Sequence, residues 1–129
     1  MSRLSNERPE GISASAREFR SERERLNKIV IENGGLTIKR FFNLDTQAYA
    51  EGALPEATKE LLGLVASLVL RCDDCILYHL LRCFELGVTD QEFEETMSIG
   101  LVVGGSITIP HIRRAFDEWT KLHSAEKSE

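Results

Sequence analysis

Arg71-Cys72-Asp73-Asp74-Cys75-Ile76-Leu77-Tyr78-His79 sets two thiols three residues apart where one apolar stretch gives way to another. Upstream, Leu61, Leu62, Leu64, Val65, Leu68 and Val69 cover most of the circumference of a helix from about Pro55 to Arg71, which should be buried on several sides. Pro55 suits a first helical turn, and Glu56 lies where the helix dipole favours a carboxylate. Downstream, a helix from about Asp73 to Leu86 stops at Gly87, the residue type that commonly follows a helix C-terminus. Residues four apart on a helix are neighbours, so Cys75 and His79 share a face. If the two helices form an antiparallel hairpin, Glu60 approaches His79; otherwise it is an exposed acid of the first half-helix.

The remaining segments are also helical. Phe19, Leu26, Ile29 and Val30 recur at helical spacing between Ser13 and about Asn33, and Asn33-Gly34-Gly35 ends that run. Its first half is charged apart from Phe19, so its stability should come from packing on something else, such as another subunit. Residues 36 to 54 read as short helical pieces and turns, with Phe41, Phe42, Leu44 and Tyr49 pointing inward. Thr89-Asp90-Gln91-Glu92 is a capping box announcing a helix that carries Phe93, Met97, Ile99, Leu101, Val102 and Val103 and breaks at Gly104-Gly105. A last helix from roughly Thr108 to His123 has Pro110 in its first turn and Ile112, Phe116, Trp119 and Leu122 on one face. Residues 1 to about 12 form a polar tail, and Ser106 to Ile109 is the one ambiguous strand candidate. The expected fold is all-α with about five to six helices.

Composition narrows the function. A length of 129 residues argues for one domain, and 42% hydrophobic residues suffice for a core. The net charge of −5 and the absence of clustered Lys and Arg give no reason to expect nucleic acid or a membrane surface as a partner. The N-terminal residues lack the apolar segment of a secretory signal, and the stretch Leu61 to Leu70 is too short to span a bilayer. The expected location is cytoplasmic, where a Cys-x-x-Cys more often means metal or redox chemistry than a structural disulfide.

At a helix N-terminus the free amide groups and the dipole stabilise a thiolate. Cys72 lies nearest that end, whereas His79 would serve Cys75 as a base. Asp73 and Asp74 oppose the thiolate, and local electrostatics alone does not choose between the two nucleophiles. Cys72, Cys75 and His79 offer three ligands where structural zinc needs four, and no His-x-Glu precedes the Cys-x-x-Cys as in zinc deaminases. Neither a metal nor a cofactor is therefore expected. Cys83 reads as a core residue, and His111 as a helix-start histidine that remains a further candidate.

Glu60, eleven intervening residues, Cys72-x-x-Cys75 and then His79, together with Leu86-Gly87-Val88-Thr89, Gly104-Gly105 and Pro110-His111, resemble a known pattern. It is that of the alkylhydroperoxidase D-like branch of the carboxymuconolactone decarboxylase superfamily. The resemblance covers about residues 35 to 120. With it the chain divides into a tail and charged helix (1–34), expected to make an oligomer contact, and a family domain (35–125). It implies a helical bundle around the hairpin and a homo-oligomer, a trimer or hexamer. It also implies a thiol-dependent peroxidase in which Cys75 attacks a hydroperoxide and Cys72 resolves the sulfenic acid to a disulfide. His79 would act as base, and Glu60 would hold it through a bridging water. A lipoyl or thioredoxin-like dithiol protein would recycle the site. Peroxidase members carry a histidine between the cysteines where this chain has Asp74, which leaves thiol–disulfide exchange as an alternative. A non-catalytic binding or scaffold protein, or a decarboxylase-like enzyme, are the others.

Overall fold

A computed structural model describes residues 12–127 of the chain, with side chains as far as residue 125. The expected polar tail falls outside these residues except for its end, and there Ile12 is buried in the core. Six α-helices follow one another: α1 (Ala14–Asn33), α2 (Leu36–Tyr49), α3 (Glu56–Leu70), α4 (Asp73–Glu85), α5 (Asp90–Gly104) and α6 (Ile109–Lys127). A 3-10 turn at Ser106–Thr108 precedes α6, so the strand candidate is helical, and there is no strand among the described residues.

The hairpin α3–α4 is the most extensive pairing, with α5 packed on α3 and α6 on α4. Leu64 and Leu68 from α3 meet Leu80, Leu81 and Phe84 from α4, Phe93 and Met97 from α5, and Trp119 and Leu122 from α6. Trp119 stacks on Phe93 at 4.4 Å and takes the edge of Phe84 at 5.9 Å between centroids. Each such side chain contributes about 1.5–3 kcal/mol on burial, so these few dominate the stability.

Local chemistry sets the ends. The Thr89 hydroxyl accepts from the Glu92 amide at 3.1 Å while the Glu92 carboxylate accepts from the Thr89 amide at 2.8 Å, which is the expected capping box. Gly87 adopts φ 85° after α4, and the amides of Gly87 and Val88 reach back to the carbonyls of Phe84 and Cys83. The same closure ends α3 without a glycine. Arg71 takes φ 59°, and the amides of Arg71 and Cys72 reach the carbonyls of Leu68 and Ser67 at 2.9 and 3.1 Å. A side chain in that conformation costs about 1 kcal/mol relative to glycine. The turn delivers Cys72 to the start of α4.

Several expectations need correction. Residues 36–49 form one continuous helix, and none of its residues is buried. Phe41 and Leu44 are 65% and 61% exposed rather than inward, and only Phe42 and Tyr49 of the four are half-buried. The helix α3 buries one side, through Leu64 and Leu68, and exposes Leu62 and Leu70. The end of α1 at Asn33-Gly34 is as expected, with Gly34 extended at φ −84°. Periodicity identified amphipathic helices correctly, but part of their apolar surface is left uncovered by the described residues.

Candidate active site

The dithiol sits at the first turn of α4. Cys72 is the N-cap, and its sulfur accepts from the Cys75 amide at 3.3 Å, which occupies one of the amides a helix start leaves free. Cys72 and Cys75 are joined as a disulfide, with Cα atoms 5.3 Å apart. Cys72 is half-buried and Cys75 exposed. The third cysteine, Cys83, is fully buried, and burial pushes its thiol far up, with the Glu60 charge adding to the effect. It belongs to the core, as its place in the sequence suggested.

One turn after Cys75, His79 is buried and its Nδ1 lies 2.8 Å from Glu60 Oε1. The hairpin therefore does bring Glu60 to His79, and the contact is direct, without the bridging water that the resemblance implied. Glu60 has no exposed surface, and a bare buried carboxylate would be expensive. Arg82, one turn beyond His79 and equally buried, supplies the cation. Its Nε is 4.0 Å from Glu60 Oε2, and its guanidinium reaches Glu85 at 3.0 Å and Glu56 at 3.4 Å. Arg20 of α1 completes the group at 2.8 Å from Glu85. Sequence reasoning missed Arg82. The signal was available in Glu56 and Glu60, two acids four apart on α3, which want a cation on the facing helix.

Tyr49, at the end of α2, is the second residue that sequence reasoning did not assign to the site. Its hydroxyl lies 3.4 Å from His79 Nε2, and the two rings are 5.1 Å apart. They meet over Gly63, where an added Cβ would fall 2.6 Å from the Tyr49 hydroxyl and 2.9 Å from His79 Nε2. Burial raises the Tyr49 pKa, and the nearby charges of Glu60 and Asp45 add to the rise, so the hydroxyl keeps its proton.

Cys75 and His79 open into a cavity of about 670 Å³. Its opposite wall is α1 of the same chain, including Phe19, Arg23 and Leu26, and Arg23 sits 4.0 Å over the Tyr78 ring. Cys72 does not line it. His111 lies apart from this cavity. It donates to Asp73 at 2.7 Å, and Arg114 bonds the same carboxylate at 3.0 Å. Burial alone would raise the Asp73 carboxyl, but these bonds and charges outweigh it and hold it below the usual range. His111 thus ties the start of α6 to the start of α4. Among the described residues, no group of three or more His, Cys, Asp and Glu side chains is arranged to hold a metal ion, and no helix is long and apolar enough to cross a membrane.

Comparison with known proteins agrees with this geometry. The carboxymuconolactone decarboxylase family model matches residues 36–118. A Thermotoga maritima protein, solved twice, superposes with TM-scores of 0.85 and 0.83 at 54% identity. The matches cover 87% and 86% of this chain and 98% and 94% of that one. That protein is described as a carboxymuconolactone decarboxylase family protein with a possible part in antioxidative response. A Legionella pneumophila family protein shares the fold, with a TM-score of 0.69 at 23% identity over 88% of this chain and 99% of that one. An uncharacterized protein of Cupriavidus necator is 33% identical over 58 residues, 45% of this chain, and the match spans about half, 51%, of that protein. The all-helical bundle, the matched segment and the Glu60–Cys72–Cys75–His79 pattern converge: the chain belongs to the carboxymuconolactone decarboxylase family, in keeping with its alkylhydroperoxidase D-like branch.

Proposed function

We propose that the chain is a dithiol oxidoreductase that reduces hydroperoxides. The observation that carries the reading is a Cys72–Cys75 pair at a helix start whose outer member shares a cavity with a histidine held by a buried carboxylate. The antioxidative role ascribed to the Thermotoga relative points the same way.

In the reduced protein His79 takes the proton of Cys75, and the helix start and the imidazolium stabilise the thiolate. The thiolate sulfur attacks one oxygen of ROOH. The O–O bond breaks, the alkoxide takes the proton back as ROH, and Cys75 becomes a sulfenic acid. The Cys72 thiol then attacks Cys75 Sγ, forming the disulfide and releasing the hydroxyl with the thiol proton as water. A dithiol partner, of lipoyl or thioredoxin-like chemistry, reduces the disulfide through a mixed disulfide and is itself oxidised. Cys75 is assigned the attack because it is exposed and lines the cavity, whereas Cys72 is half-buried and caps the helix. Glu60 orients His79, as carboxylates do for catalytic imidazoles.

A second reading, disulfide exchange without peroxide chemistry, is favoured by Asp74. It stands exposed between the cysteines and lines the cavity, and an aspartate is no near-neutral proton shuttle. Cysteine variants decide the matter. With a hydroperoxide and a reduced dithiol, Cys72→Ser should stop at a Cys75 sulfenic acid that a cyclic diketone traps, and Cys75→Ser should consume no peroxide. Peroxide consumption by Cys75→Ser at the wild-type rate sinks the reading. Exchange with small disulfides but no peroxide consumption by the wild type selects the second one.

The apolar residues exposed on α1, α2 and α5, among them Ile29, Phe41, Leu44, Val102 and Val103, support a homo-oligomer as the working form.

A further inference from the structure

In the disulfide form both ring nitrogens of His79 are engaged, Nδ1 by Glu60 and Nε2 by the Tyr49 hydroxyl. A carboxylate only accepts, so Nδ1 carries the proton and Nε2 presents a lone pair to Tyr49. The 3.4 Å separation is long for such a bond, as resting-state catalytic contacts often are. Two features fix Tyr49 there. Lys59 of α3 donates to the carbonyls of Ala48 and Ala50 at 2.9 and 2.6 Å, clamping the end of α2 on either side of Tyr49. Gly63 leaves room for the hydroxyl and the imidazole to meet against the α3 backbone.

We propose that Tyr49 is a positioning residue for His79: from α2 it holds Nε2 as the basic atom while Glu60 holds Nδ1. This rests on His79 serving Cys75, but it is read on the imidazole itself. The helix α2 buries none of its residues fully, and the Lys59 clamp fixes its end where Tyr49 meets His79. A movement of that end is therefore passed to the base through the Tyr49 ring and hydroxyl.

The test is Tyr49→Phe in the full chain, which keeps the ring and removes the hydroxyl. The oxidised protein is used first, because its disulfide cysteines do not titrate. Glu60 keeps the proton on Nδ1 in both proteins, so nitrogen NMR of His79 should show an unprotonated, hydrogen-bonded Nε2 in the wild type and an unprotonated Nε2 without that hydrogen bond in Tyr49→Phe. The other groups around the ring are unchanged by the substitution. They are Glu60 and Arg82 behind it, Asp45 on α2, Asp74 and Tyr78 on α4, and Glu18, Glu22 and Arg23 across the cavity. In the reduced protein, Cys75 alkylation at pH 7 should slow about 3- to 10-fold, the loss of one such bond expressed as a rate. Lys59→Met should move both readouts in the same direction, and Lys59→Arg should restore them. A wild-type Nε2 signal with a wild-type Cys75 alkylation rate in Tyr49→Phe overturns the proposal. If His79→Gln leaves Cys75 alkylation unchanged while the nitrogen signals still respond to Tyr49→Phe, the base role of His79 falls and the positioning of the ring stands.

Discussion

Replacing Arg82 by methionine should be among the most damaging single changes to this fold. Arg82 is fully buried and lies 3.0 Å from Glu85, 3.4 Å from Glu56 and 4.0 Å from Glu60. Methionine fills much of the same volume but removes the charge. Glu85 retains Arg20 at 2.8 Å, so the loss falls chiefly on Glu60, which has no exposed surface. Deleting one partner of a buried ion pair costs about 3–5 kcal/mol, and the surviving Arg20 contact places this case near 3. For a chain of this size that is roughly a 10–15 °C fall in Tm. Urea unfolding of the oxidised protein at pH 8 should show this deficit. A loss below about 1 kcal/mol there refutes the argument that Arg82 compensates Glu60.

Gly63→Ala separates site from fold. Overpacking against Tyr49 and His79 costs about 1–3 kcal/mol, offset by about 1 from helix propensity, so stability should fall by about 0–2 kcal/mol while Cys75 alkylation falls several-fold; an unchanged alkylation rate would contradict the close approach. Asp73→Asn should cost about 0.2–1 kcal/mol at pH 7, because Asp73 and Arg114 are half-exposed. The carboxyl is held below its ordinary range, so this contribution is present above about pH 3.9 and is lost as pH falls through the depressed folded value, which acid titration of both proteins should show. The double change Phe41→Asp and Leu44→Asp should lower the mass measured by light scattering to that of a smaller species without loss of helix, and an unchanged mass would place the subunit contact elsewhere.

Much of the site was legible because helical spacing fixes neighbours. Cys75 and His79 share a face by their separation alone, and Glu60 reaches His79 once α3 and α4 form a hairpin. The helix limits at Gly87 and at Thr89-x-x-Glu92 were legible because their chemistry is local. Tyr49 was not. An amphipathic pattern tells that a face is apolar, not which molecule covers it, and Phe41 and Leu44 point away from the core that Tyr49 approaches. The α3–α4 turn was legible at Arg71, but its left-handed closure was not, because glycine, not arginine, is the usual sign of such a cap. Arg82 was hidden for another reason: a cation near a helix C-terminus is ordinary on dipole grounds. Only the facing pair Glu56 and Glu60 gives it a buried role.

The most direct test of the central claim is to count thiols in the reduced, folded protein before and after a small excess of hydroperoxide, with mass mapping of the product. The account predicts rapid loss of two thiols as a Cys72–Cys75 disulfide, reversed by a dithiol. Cys83 should stay reduced and unlabelled until the protein is denatured, since burial raises its thiol far above neutrality. Thiols that persist under peroxide, or a bond that recruits Cys83, would contradict it.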